Sequence, residues 1–364
     1  MIAGEAALAI SLADSLFLSI SPDAARSRVL LFLAISLAPF AVLAPLIGPV
    51  IDRLPGGRRL TVVGVGVIRA VLLVAMMRWI NSLALFPIAF ASLVAAKVYA
   101  VSRSAIVPTV VASDEALMAA NGRLGRLSGI VGFVVGAPAA LLQLVDTRLS
   151  LGLSAVCFSL AAIAALALPR HVAAATKPAD STEVEELHRP VIRWAAFAML
   201  VLRSSVGFMF FHMAFWLRDQ KAGTAWFGLA VVVSSIAVFA ANSIGPLLRK
   251  RFAERVLLDG SLIVVAVAGL VTGYAGGITA GIVLIAVVNG TAAVGRLAFE
   301  AIVQAQAPDA NRARAFVRFE TNNQIAWVVA GLVAVVFTFD GAIGFLLVGV
   351  ASGLAAAYYL YRSS

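Results

Sequence analysis

The sequence predicts an all-α membrane protein of about twelve transmembrane helices in two six-helix halves. Three observations carry this. Of the 364 residues, 62% are hydrophobic and only 13% charged, with a mean hydropathy of +1.01, whereas a soluble domain is about 25% charged. Apolar runs of spanning length recur along the whole chain. One polar stretch at mid-chain, 169–193, separates them into two similar sets; it holds Pro169, Lys177, Pro178, Asp180, Glu183, Glu185, Glu186 and Pro190. The expected organisation is a first half over 1–168, a linker over 169–193 and a second half over 194–364.

In chain order, the first apolar run covers 3–20, short for a span, and Ser21-Pro22-Asp23 breaks it. Residues 1–20 lack a basic n-region and a small-residue cleavage site, so they read as a span and not as a cleaved leader. Further spans are expected over about 29–51, 60–77, 83–101, 124–144 and 149–168. A polar stretch from Ser102 to Asn121 precedes the fifth, and Asp146-Thr147-Arg148 turns the chain before the sixth. After the linker, spans are expected over about 194–217, 225–247, 257–275, 277–295, 317–338 and 341–361.

The formal net charge of +10 raises the question of nucleic acid. The basic residues argue against it, since they cluster in loops on one side and form no basic helix or aromatic-basic platform. With the loop at 52–59 placed inside, roughly 19 Lys/Arg fall in cytoplasmic loops, roughly 6 outside and about 3 within spans. This predicts both termini in the cytoplasm. Cys157 is the single cysteine, so no disulfide forms within the chain. His171, His188 and His212 share no metal-ligand spacing. No phosphate-binding Gly-x-x-x-x-Gly-Lys-Ser/Thr loop and no hydrolase triad pattern occurs, which argues against an ATP-driven pump or an intramembrane enzyme and implies no cofactor.

The loop after the second span reads Gly48-Pro49-Val50-Ile51-Asp52-Arg53-Leu54-Pro55-Gly56-Gly57-Arg58-Arg59. Gly48 and Pro49 end a helix, Gly56-Gly57 reverses the chain, and Arg53, Arg58 and Arg59 hold the cytoplasmic side. Asp52 sits at a helix end where a carboxylate can pair across a helix–helix contact. The pattern resembles the loop between helices two and three of major facilitator superfamily transporters, with a small insertion at Pro55-Gly56-Gly57. The second half repeats it: Gly245-Pro246 is expected to end the eighth span, before Arg249-Lys250-Arg251. The polar turn from Arg103 to Arg126 has a counterpart from Arg296 to Arg318. Six-plus-six parallel repeats are the superfamily's architecture.

The fifth span reads Gly125-x-x-x-Gly129-x-x-Gly132-x-x-x-Gly136-Ala137-Pro138. Small residues at this spacing let helices approach closely, and Pro138 can bend the span. The stretch resembles the Gly-rich helix-five motif of drug-exporting major facilitator proteins. Gly132, Gly136 and Pro138 carry the likeness, while Ala137 splits the usual Gly-Pro pair. Arg103-Ser104-Ala105-Ile106-Val107-Pro108 with Ala119-Ala120-Asn121 is similar to the helix four-to-five region of the enterobactin-exporter-like branch.

A charge inside a span costs several kcal/mol unless it meets water or a partner. Asp14 is the acidic candidate, taken as the proton-coupling group. Arg69, Lys97 and Arg203 are candidates to pair with it or with an anionic substrate, although Lys97 could also snorkel and static ion pairs would look the same. Asn242, Asn289, Asn322, Asn323 and Gln324 are expected to point inward. Arg296 and Glu300 are expected as a surface pair in a cytoplasmic turn. Phe208, Phe210, Phe211, Phe215 and Trp216 make the seventh span aromatic, and His212 within it reads as a helix–helix hydrogen-bonding group or a proton relay.

The resemblance implies a secondary active transporter, a proton-coupled exporter (antiporter) of small organic molecules working by alternating access. It implies residence in a bacterial cytoplasmic membrane as a monomer. Basic loops would lock the inward ends of the halves, with Gly48, Asp52, Arg53, Arg58 and Arg59 as the gate. A non-transporting sensor or partner subunit of the same fold, and a passive uniporter, remain open.

Overall fold

The computed structural model describes residues 1–13, 57–80, 82, 84–106, 114–167, 185–220, 224–306, 312–337 and 339–363. Among them stand eleven long helices: α1 (Ile2–Ala13), α2 (Gly57–Arg78), α3 (Leu85–Ile106), α4 (Asp114–Val145), α5 (Thr147–Ala165), α6 (Pro190–Asp219), α7 (Thr224–Arg249), α8 (Glu254–Ala275), α9 (Gly277–Gln306), α10 (Arg312–Val336) and α11 (Gly341–Ser363). No strand occurs among the described residues. Only a helix satisfies all its own backbone groups in hydrocarbon, which is why long apolar runs fold this way.

Among the described residues, eight helices are long and apolar enough to cross a membrane. Their outward faces carry apolar side chains at helical spacing, such as the exposed Val67, Val71 and Val74 of α2. Faces of this kind belong in lipid, and the chain is an integral membrane protein. α4 has 32 residues and is therefore about 48 Å long, well beyond the ~30 Å hydrocarbon core.

The chain divides into two compact units: Met1–Lys177 with Arg312–Val317, and Pro178–Asn311 with Arg318–Ser364. In the first, α2 packs on α5 and α3, and α1 packs on α4 and α5. Its core gathers Leu8, Leu73, Met76, Leu151, Ala155 and Phe158. Serines tie α1 to α5: Ser154 Oγ donates to Gly4 O at 2.7 Å, and Ser11 Oγ donates to Ser150 Oγ at 2.8 Å. Hydrogen bonds and small side chains replace the hydrophobic drive that lipid cannot supply between helices.

In the second unit α8 packs closely on α11, and α9 packs on α6, α7 and α8. At the α8–α11 crossing a Cβ on Gly269 would lie 2.5 Å from the Gly349 Cα, so the approach requires glycine. Gly276 and Gly277, at φ 65° and 82°, turn the chain from α8 into α9. Leu202, Met209, Phe211, Leu262, Leu284 and Phe345 are fully buried between these helices.

Several helix ends differ from the sequence expectation. Gly245 and Pro246 lie inside α7, which runs to Arg249. α9 continues through Arg296 and Glu300 to Gln306, where a turn was expected. α4 begins at Asp114, inside the stretch read as polar connection, and α6 begins at Pro190, inside the expected linker. In α7 the loss of one backbone bond at Pro246 does not end the helix; the other three share another cause. Hydropathy reports where a helix leaves lipid, and the backbone bonds continue beyond that point wherever the polar residues can hold a helix.

Candidate functional site

Charged side chains inside apolar helices mark the candidate sites, and each unit carries its own. In the first unit Arg69, the thirteenth residue of α2, has a side chain only 3% exposed. Its Nη1 donates to Glu5 Oε1 on α1 at 2.8 Å. Its Cζ lies 4.0 Å over the Phe158 ring of α5, a cation–π contact. Nε has no hydrogen-bond partner among the described residues. Glu5 is 45% exposed, so one end of the pair is enclosed and the other is open. Tyr99 of α3 lies within electrostatic reach of both charges. Asp14, expected to pair with Arg69, Lys97 or Arg203, lies outside the described residues; Glu5 was not among the expected candidates, although it lies in the same apolar run and the cost of an intramembrane charge applies to it equally.

In the second unit Arg203 is half-buried on α6. It sits within electrostatic reach of Glu320 on α10 and Arg296 on α9, and its Nε has no partner among the described residues. Arg296 Nε is 2.8 Å from Glu300 Oε1, one turn on along α9. That pair lies on a helix and not in a turn, because α9 extends past both residues. Four charges from three helices therefore converge.

Toward the other end of α6, His212 is 2% exposed. Phe208 and Trp216 stack on its ring, at centroid distances of 5.4 and 6.4 Å, and Phe345 of α11 meets it edge-on at 5.7 Å. One ring nitrogen bonds the Gly341 backbone, while Nε2 has no partner among the described residues.

The remaining candidates are dispersed. Lys97 is half-buried on α3 and makes an interaction there. Asn242 is half-buried on α7. Asn289 Nδ2 donates to the Ile285 carbonyl of its own helix at 2.8 Å. Asn323 is buried, Asn322 exposed and Gln324 half-buried. In the helix-five motif, a Cβ on Gly136 would lie 3.5 Å from Ile10 of α1, one on Gly132 would meet nothing within 4 Å among the described residues, and Pro138 is exposed on a helix that continues through it. Arg59 is half-buried in the first turn of α2, which begins at Gly57 and includes Arg58. Asp14, Gly48, Asp52 and Arg53 lie outside the described residues. In the second unit's corresponding region, Arg249 pairs with Glu254 at 2.6–2.8 Å, a partner within the same connection. No cluster of potential metal ligands occurs among the described residues.

No protein-family model matches the chain. An uncharacterized protein of Mycobacterium leprae is 29% identical over 403 residues, covering 98% of this chain and 69% of that protein. An uncharacterized protein of Mycobacterium tuberculosis is 38% identical over 154 residues, 40% of this chain and 27% of that protein. Among solved structures, the Escherichia coli fucose:proton symporter FucP aligns with a TM-score of 0.68 at 13% identity, over 100% of this chain and 96% of that one. A second crystal structure describes FucP as a Major Facilitator Superfamily transporter. A bacterial homologue of the iron transporter ferroportin, in an outward-facing state, aligns with a TM-score of 0.67 at 16% identity, over 100% and 96% of the two chains. The human organic anion transporter MFSD10 gives 0.65 at 17% identity, over 98% and 89%. These neighbours are transporters by name, not enzymes. From end to end, this chain has the fold of the major facilitator superfamily.

Proposed function

We propose that the chain is a secondary active transporter, a proton-coupled exporter of small organic molecules that works by alternating access. The observation that carries the reading is the pairing of this fold with ionised side chains inside apolar helices of both units. Arg69 with Glu5 and Arg203 with Glu320 cost too much to keep in lipid unless they serve packing, water or cargo. Secondary transporters place cargo and coupling-ion sites near the bilayer midplane, where two repeats meet. Asp14 is the proposed proton-coupling group, because an acid caught between burial and a neighbouring cation changes protonation as its surroundings alternate. The loop around Gly48, Asp52, Arg53, Arg58 and Arg59 is the proposed gate. The proposed setting is a bacterial cytoplasmic membrane, with both termini and residues 169–193 inside and the protein acting as a monomer.

The test is reconstitution of the chain into liposomes with a lumenal pH dye. An exporter of this kind lets a cargo collapse an imposed proton gradient and accumulates that cargo against its own gradient. Asp14→Asn is expected to abolish accumulation and to retain binding. Full uphill transport by the Asp14→Asn variant would remove Asp14 from the coupling step. Cargo movement that ignores the imposed gradient in the wild type would replace the exporter with a uniporter.

A further inference from the structure

The charges around Arg203 stand beside an aromatic wall, and the two share their geometry. On α6, Arg203 and Phe210 are seven residues apart; on α10, Glu320 and Trp327 have the same separation. A seven-residue step is close to two helical turns, so each pair lies on one face, about 10 Å apart along the axis. The helices meet between these levels. A Cβ on Gly207 would lie 2.2 Å from the Trp327 carbonyl oxygen, so only glycine lets α6 come this close to α10. Phe210 packs against Trp327 at 6.3 Å and against Phe227 of α7 at 5.6 Å. Phe210, Phe227 and Trp327 are each half-buried, like Arg203. Their rings therefore keep free surface at one end of a short track whose other end is a guanidinium.

The state of the cations decides what the track prefers. Arg296 is held by Glu300 in a direct ion pair. Arg203 makes no ion pair among the described residues; Glu320 balances it from a distance. A guanidinium with unused donors in a partly dehydrated site is a receptor for a carboxylate or a similar oxyanion. Glu320 opposes a large negative charge there, which favours a single anionic group over a di- or trianion.

We infer that Arg203, with Phe210, Phe227 and Trp327, forms a binding site for a monoanionic organic molecule with a flat apolar body, and that Glu320 limits the charge the site accepts. This rests on the transporter reading only for its purpose; the site itself is a binding claim. The anionic group sits at Arg203, and the apolar body lies about two helical turns away against the rings.

Equilibrium binding to the full-length purified chain in detergent tests it, with 2-naphthoate as probe and the neutral 2-naphthamide as its isostere. Wild type should bind naphthoate about tenfold or more tighter than naphthamide, the range expected for a hydrogen bond to a charged group. Arg203→Gln should erase that preference and leave naphthamide binding unchanged. Glu320→Gln should strengthen naphthoate binding, a gain that damage to folding does not produce. Trp327→Leu should weaken both probes alike. Equal binding of the two probes by wild type, or naphthoate affinity unaltered in Arg203→Gln, would overturn the inference. A chain that shows the Arg203-dependent preference but moves no cargo in liposomes would sink the transporter reading and leave the site standing. Transport of other cargo without naphthoate binding would do the reverse.

Discussion

Glu5 on α1 and Arg69 on α2 form an ion pair of 2.8 Å in which the cation is enclosed and the acid is half-exposed. That asymmetry gives the pair unequal halves. Removing the acid strands a buried guanidinium with only the Phe158 face for company. Removing the cation leaves a carboxylate that its surroundings can still solvate. Glu5→Gln should therefore cost more stability than Arg69→Met, on the order of 2 kcal/mol once the usual penalty for a broken buried pair is discounted for Glu5's exposure. The double variant should recover much of the loss. Thermal unfolding in detergent at one scan rate measures the order; if Arg69→Met is the worse, packing against Phe158 matters more than charge.

The α8–α11 crossing gives a prediction with a built-in control. Gly269→Ala places a methyl 2.5 Å from the Gly349 Cα, whereas a Cβ on Gly260 of the same helix meets nothing within 4 Å. The first should destabilise by about 1–3 kcal/mol, since two backbones must separate. The second should be neutral or stabilising by about 0.5–1 kcal/mol, because alanine loses less freedom on entering a helix. Similar melting temperatures for the two variants would show that the helices part without cost.

For the gate, Asp52→Asn should lower transport severalfold while leaving insertion and the melting temperature unchanged, as expected when a conformational lock is removed and no core contact is lost. Flux assays paired with thermal scans decide it. Normal flux would reduce the basic loop to a topology signal.

Orientation can be read with a single cysteine. In a Cys157→Ser background, Asp180→Cys should resist an impermeant maleimide in intact cells and react in inverted vesicles. Labelling from outside intact cells would reverse the proposed topology.

The fold class was legible in one dimension because lipid imposes a one-dimensional rule. Every buried peptide group must be bonded within its own helix, so the apolar runs report helices directly. The run of Val and Leu around Arg69 and the aromatic stretch from Phe208 to Trp216 needed no tertiary information to be read as helices. Helix ends were less legible: Pro246 looked like a terminus, yet α7 passes through it, since losing one backbone bond does not end a helix. Partners were hidden altogether. The acid that meets Arg69 lies 64 residues away at Glu5, and the charge nearest in kind to Arg203's need lies on α10 at Glu320. Hydropathy sums properties of single residues, whereas an ion pair depends on which faces two helices turn toward each other. That choice is made by close packing, at contacts such as Gly207 against Trp327, and only the folded chain contains it.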